Sequence, residues 1–84
     1  MSLSTRAPSP MDMRRMAALA RATGDAITMS RRLGHRLDAL APDAGAWSRI
    51  TSCRWCGRYV AVDLDESPEP YGSGITEPCR GMHR

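Results

Sequence analysis

Phenylalanine, lysine, asparagine and glutamine are all missing from this 84-residue chain. With no Phe and only 5% aromatic residues, the core must be aliphatic, built from Leu, Ile, Val, Met and Ala. A chain this short buries little more than ~60% of the surface its unfolded form exposes. So thin a core calls for a staple, such as a metal ion or a partner subunit. With no Lys, all twelve basic residues are Arg. A GC-rich genome accounts for that bias as readily as a function does, although guanidinium groups suit phosphate and carboxylate contacts.

Long apolar runs are also missing. Nothing approaches the ~18 residues a membrane span needs, so no membrane partner is expected. Met1 to Pro10 contains neither an apolar stretch nor a small-residue cleavage site, so no secretory signal is expected and the cytoplasm is the default compartment. A structural disulfide is not expected there, and three cysteines are an odd number. There is no Gly-rich phosphate loop, no H-E-x-x-H and no Ser/His/Asp set. The expectation is therefore a protein that is not an enzyme and takes no small-molecule substrate. Asp63, Asp65, Glu66 and Glu69 cluster, but read as a solvated acidic loop or a landing place for a basic partner.

What charge there is lies unevenly. The net charge is +3. Residues 1–50 hold eight Arg against four Asp, and residues 51–84 hold four Arg against five acids. Such a balance permits nucleic-acid binding without demanding it.

Three regions follow: a tail over 1–8, a helical region over 9–42 and a metal-binding region over 43–84, together one compact domain. Ser9-Pro10-Met11-Asp12 starts a helix, with Ser9 as cap, Pro10 at the first position and Asp12 at the positive end of the dipole. Helical character runs to Ala41 and stops at Pro42. On a wheel, Met16, Leu19, Ala20, Ile27, Leu33, Leu37 and Leu40 share a broad face, and Arg14, Arg21, Arg32 and Arg36 lie opposite, with Arg31 and His35 at the edge. A continuous helix of that length would be ~48 Å long, more than a compact domain of this size spans. A break at Gly24 into a helical hairpin is the favoured outcome. An unbroken helix paired with a second copy is the other.

Beyond the linker, Trp47 and Ile50 are expected to pack the two halves together. Val60, Val62 and Leu64 alternate with Tyr59, Ala61 and Asp63, which predicts a strand over Arg58–Leu64. Ser67-Pro68-Glu69-Pro70 reads as loop, and Ile75-Thr76 as a short second strand. The fold class is small α+β: a helix or helical hairpin followed by a zinc-ribbon-like β-hairpin.

The cysteines carry the chemistry. Cys53 and Cys56 form C-x2-C, and Cys79 and His83 form C-x3-H. Three thiolates and an imidazole make the inventory of a closed tetrahedral Zn²⁺ site. C-x2-C lets one tight turn aim two sulfurs at a point, and Gly57 lets the backbone fold close behind. Such a site contributes folding energy and leaves no position for substrate. An iron–sulfur centre, a redox-active thiol pair and three unliganded cysteines are the alternatives. A redox pair wants a helix after C-x-x-C, and a strand follows here. His83 is the expected fourth ligand by its spacing to Cys79. His35, among Arg31, Arg32 and Arg36, reads as a surface histidine and the lesser candidate.

Arg14, Arg21, Arg31, Arg32 and Arg36 are the candidate phosphate contacts, joined by Arg54 and Arg58 beside the cysteine turn. The partner expected is nucleic acid or a larger assembly, with a homodimer through the helical region as a further option. The alternative is a protein–protein adaptor or inhibitor acting through the helices or the acidic loop. Ala20-x3-Gly24 with Ser30-Arg31-Arg32-Leu33 is similar to a helix-turn-helix, but one residue short, which turns the second helix by ~100°.

Taken together, Ala20 to Ile27, Leu33 to Leu37, Trp47, Cys53 to Asp63 and Pro78-Cys79 resemble short uncharacterised zinc-ribbon-type proteins of phages and GC-rich bacteria. That resemblance implies a small accessory or regulatory protein, with no catalytic residues to carry over.

Overall fold

A computed structural model describes residues 9–81. One α-helix, α1 (Pro10–Arg32), is followed by four strands: β1 (Ala41–Pro42), β2 (Ser48–Ser52), β3 (Tyr59–Asp63) and β4 (Ser67–Tyr71). Among the described residues a 3-10 turn, Ser73–Ile75, follows β4. The strands form one antiparallel sheet in the order β1-β2-β3-β4.

The helix starts where the sequence places it. The Ser9 hydroxyl accepts from the Asp12 amide at 3.1 Å, and Pro10 occupies the first turn. The helix does not break at Gly24, and it ends well before Ala41. Gly24 lies within α1 with ordinary helical backbone, while Gly34 takes φ +85°. The His35 amide donates to the Ser30 carbonyl and the Gly34 amide to the Arg31 carbonyl, at 3.1 and 2.9 Å. Those two bonds are the Schellman pairing, which closes a helix on a left-handed residue. The stop is therefore Gly34, not Pro42. The 23 residues of α1 span about 34 Å, which removes the length problem. A continuous helix through Gly24 also excludes the helix-turn-helix.

The strand at Tyr59–Asp63 matches its alternation. Its neighbours differ from expectation. The pairing strands are β2, through Ser52↔Tyr59 to Ser48↔Asp63, and β4, through Asp63↔Ser67 and Ala61↔Tyr71 with an irregularity between. Ser67–Tyr71 is thus a strand despite two prolines. It lies at the sheet edge, where a missing N–H costs no ladder bond. The Ile75-Thr76 strand is absent; Ile75 ends the 3-10 turn.

α1 lies over β3 and β4. Leu19, Ala22 and Ala26 meet Val60 and Val62, with Leu37, Leu40, Trp47, Leu64 and Ile75 packed at the margin. This core is aliphatic and small, as the composition requires. Arg15 ties the helix to the sheet end, with one guanidinium nitrogen 3.2 Å from Asp65 and its central carbon 5.5 Å from the centre of the Trp47 ring. Among the described residues no helix is long and apolar enough to cross a membrane.

Candidate metal centre

The site is assembled from three separate pieces of chain. The first is the turn between β2 and β3, which carries Cys53 and Cys56. The Cys53 amide donates to the Arg58 carbonyl, and the Gly57 amide to the Cys53 carbonyl, at 2.9 and 2.8 Å. Gly57 takes φ +80°, a conformation a Cβ would strain. The second piece is the stretch after α1, which runs antiparallel to the first: Leu37 bridges Cys53, and the Arg54 amide donates to the Arg36 carbonyl at 2.9 Å. The third is the C-terminal segment, where the Cys79 amide donates to the Leu33 carbonyl at 2.9 Å. A Cβ on Gly81 would overlap the Trp55 carbonyl, so only glycine lets this segment close on the cysteine turn.

These constraints bring His35, Cys53, Cys56 and Cys79 together. Their ligand atoms all lie within 4.8 Å of one another. Cys53 Sγ is 3.8 Å from Cys79 Sγ, and Cys56 Sγ is 3.4 Å from His35 Nδ1. A tetrahedral ion with Zn–S of about 2.3 Å and Zn–N of about 2.0 Å sets S···S near ~3.8 Å and S···N near ~3.5 Å. The observed separations therefore suit one mononuclear ion. They also exclude a disulfide between Cys53 and Cys79, whose sulfurs would be ~2.05 Å apart.

The surroundings prepare the donors. His35 Nε2 is 2.6 Å from the Glu77 carbonyl oxygen, which can only accept. Nε2 must then carry the proton, leaving the Nδ1 lone pair for the metal. This is the outer-shell support typical of ligating histidines. Around Cys53, burial pushes the thiol pKa up. Amides of Arg36, Cys56 and Trp55 and the His35 side chain more than offset that and bring it down to about 6. The Arg36 and Trp55 amides lie 3.4 Å from Cys53 Sγ. Cys79 moves the other way. The Gly81 amide favours its thiolate, but burial and the neighbouring Cys53 and Cys56 sulfurs raise its pKa. One thiolate forms readily in this cluster and further ones repel it, a conflict that a divalent cation relieves.

His35 corrects the sequence reading. It is 4% exposed, among the most buried polar residues, not a surface histidine. His83 lies outside the described residues, as does the tail over 1–8. The available signal was Leu33-Gly34-His35. A glycine that closes a helix places the next residue at a fixed turn from the axis, and reading Gly24 as the break hid it.

The arginine candidates separate into two groups. Arg54 forms a 2.7 Å ion pair with Asp38, and Arg58 stands 3.7 Å from Glu77. Both brace the segments that carry the ligands. Arg14, Arg21, Arg31, Arg32 and Arg36 are exposed and have no ion pair among the described residues. Arg36 is not on the helix, so it leaves the predicted Arg face. Arg14, Arg21 and Arg32 remain within about 20° of one another around α1.

The residues thus define a small α+β protein with a cluster of one histidine and three cysteines, compatible with a metal ion. No protein-family model, curated protein or solved structure matches the chain.

Proposed function

We propose that this chain is a small non-enzymatic binding module whose fold is held by one structural Zn²⁺ on His35, Cys53, Cys56 and Cys79. The observation that carries this is the convergence of four donors from three segments to within 4.8 Å of one another, with the histidine tautomer set by Glu77. Four protein ligands fill the coordination of zinc, so the ion binds no substrate and serves stability. The zinc-ribbon likeness lies in the cysteine turn between β2 and β3. The departure is the fourth ligand, which follows the helix.

The partner we assign to α1 is nucleic acid. Arg14, Arg21 and Arg32 form an exposed row with steps of seven and eleven residues, about 10 and 16 Å along the axis, and without ion pairs among the described residues. Such a row tracks phosphates and gives binding with little sequence preference. The role that fits is regulatory or accessory, within a larger nucleic-acid assembly.

Two measurements test the reading. Elemental analysis of the purified chain should give one zinc per molecule, and chelation should abolish its cooperative thermal transition. A metal-free protein with the same transition would remove the zinc assignment. Fluorescent oligonucleotides should bind in a strongly salt-dependent manner, with the slope of log K against log salt falling by about two to three units when all three row arginines become Ala. Binding indifferent to salt would remove the nucleic-acid assignment and leave the adaptor role.

A further inference from the structure

α1 lies over β3 and β4 and makes few contacts with β1 and β2. Between those two strands and the helix flank runs an apolar groove of about 590 Å³. Met16, Ala20, Gly24 and Ile27 form one wall, and Leu40 and Trp47 lie across from them. Met16 is 54% exposed and Ile27 38%, so the groove is not filled from within. It joins a second concavity through Ile27, lined by Arg31 and Arg36.

Gly24 is the informative residue. Glycine weakens a helix interior, and is kept where a turn, a positive φ or a close approach requires it. Gly24 has no positive φ, and a Cβ built on it meets nothing within 4 Å. Among the described residues no packing contact calls for a glycine there. A backbone bared toward an open apolar groove is what a closely packed foreign helix requires.

The charge of the rim selects the occupant. Arg31, Arg36 and Arg49 line the two concavities, and none has an ion pair among the described residues. The one acid in the lining, Asp38, is held by Arg54. A second copy docking this face on itself would oppose arginine to arginine. We infer that the groove between α1 and β1–β2 binds an amphipathic helix of a partner protein, with apolar anchors against Gly24 and acidic residues facing Arg31, Arg36 and Arg49. From Met16 to Arg31 the groove runs about 22 Å along the helix, which matches three to four turns with anchors at i, i+4 and i+7. This surface is distinct from the row of Arg14, Arg21 and Arg32.

The probes are two synthetic helical peptides with leucines at i, i+4 and i+7, one flanked by Glu and the other by Lys. Each is titrated into the full chain with its metal, and amide and indole NMR shifts are followed. The Glu peptide should bind at least tenfold more tightly than the Lys peptide, with the largest shifts at Gly24, Ile27 and the Trp47 indole. Gly24→Leu fills the groove while raising helix propensity, so it does not threaten the fold, and should cost tenfold or more. Gly24→Ala, a smaller filling that also guards against misfolding, should cost less. The double variant of Arg14 and Arg21 to Ala should leave peptide binding within twofold. Equal binding of the two peptides, or binding indifferent to Gly24→Leu, would overturn the inference. So would concentration-dependent sedimentation that protects the Gly24 amide, which assigns the groove to a second copy. Shifts at Gly24 on deletion of residues 1–8 would overturn it too, by assigning the groove to the chain's own N-terminus.

Discussion

His35 and Glu77 are joined across the molecule: the imidazole Nε2 stands 2.6 Å from the Glu77 carbonyl oxygen, 42 residues further along the chain. That bond turns Nδ1 toward the cysteine sulfurs. It positions His35 as the fourth member of the cluster, and it predicts how the two histidines will differ. Cobalt(II) bound in place of zinc should show the ligand-field bands of a tetrahedral site with three sulfur donors and one nitrogen. His35→Ala should weaken cobalt binding by more than ~100-fold, the upper range for loss of an outer-shell partner alone. His83→Ala should leave the spectrum and affinity unchanged. The reverse result would transfer the fourth position to the C-terminal histidine.

Two glycines should respond oppositely to one substitution. Gly24→Ala places a methyl in open space on regular helix and should stabilise the chain by about 0.5–1 kcal/mol. Gly34→Ala finds the Cys79 Cβ at a tolerable 3.7 Å but must adopt φ near +85°, and should cost about 1–2 kcal/mol. Urea denaturation of the metal-loaded protein measures both. Equal signs would contradict the reading that Gly34, and not Gly24, is the structural breakpoint.

Ser30 offers a test of the core. It is fully buried on the inner face of α1, and its hydroxyl finds no partner among the described residues. An unsatisfied buried hydroxyl costs about 1–3 kcal/mol. Ser30→Ala removes it and improves helix propensity, so the melting temperature should rise. A fall would show that the hydroxyl is bonded in solution.

The pH response of Tyr71 follows from its neighbours. Partial burial is the first cause raising its pKa, followed by the charges of Asp63, Tyr59, Asp43 and Glu66. A raised folded value means that the native state holds the phenol proton more firmly. The stability this contributes is complete below the unfolded value near ~10 and is lost as pH climbs through the folded one. Asp63→Asn should lower the Tyr71 midpoint, followed by NMR of its ring carbons. An unmoved midpoint would show that Asp63 does not face the ring.

The parts of this architecture that rest on local chemistry were legible in the sequence. Ser9-Pro10 set the helix start, the alternation over Tyr59–Asp63 marked the central strand, and C-x2-C with Gly57 marked the turn that brings two cysteines into the cluster. The parts that depend on distant partners were not. Ser67-Pro68-Glu69-Pro70 reads as loop until β3 supplies a neighbour and an edge that tolerates proline. Ser48–Ser52 has too few apolar residues to stand out as a strand before pairing. His35 was read as a surface residue for a similar reason. Spacing favoured the histidine near Cys79, while the histidine found in the cluster is brought there by a helix terminus and a carbonyl from a remote segment.

The ligand spacing also governs how the chain is threaded. His35 and Cys56 are 21 residues apart, and Cys53 and Cys79 are 26 apart. One ion held by all four would close two rings that share the cysteine turn. The first ring carries β1 and β2; the second carries β3, β4 and the 3-10 turn. In chain-entropy terms, closing a ring of this size removes freedom worth about 3 kcal/mol from the unfolded state. A metal-loaded but unfolded chain is therefore a pair of short tethers joined at one point, in which every strand already lies within reach of its neighbour before the sheet forms.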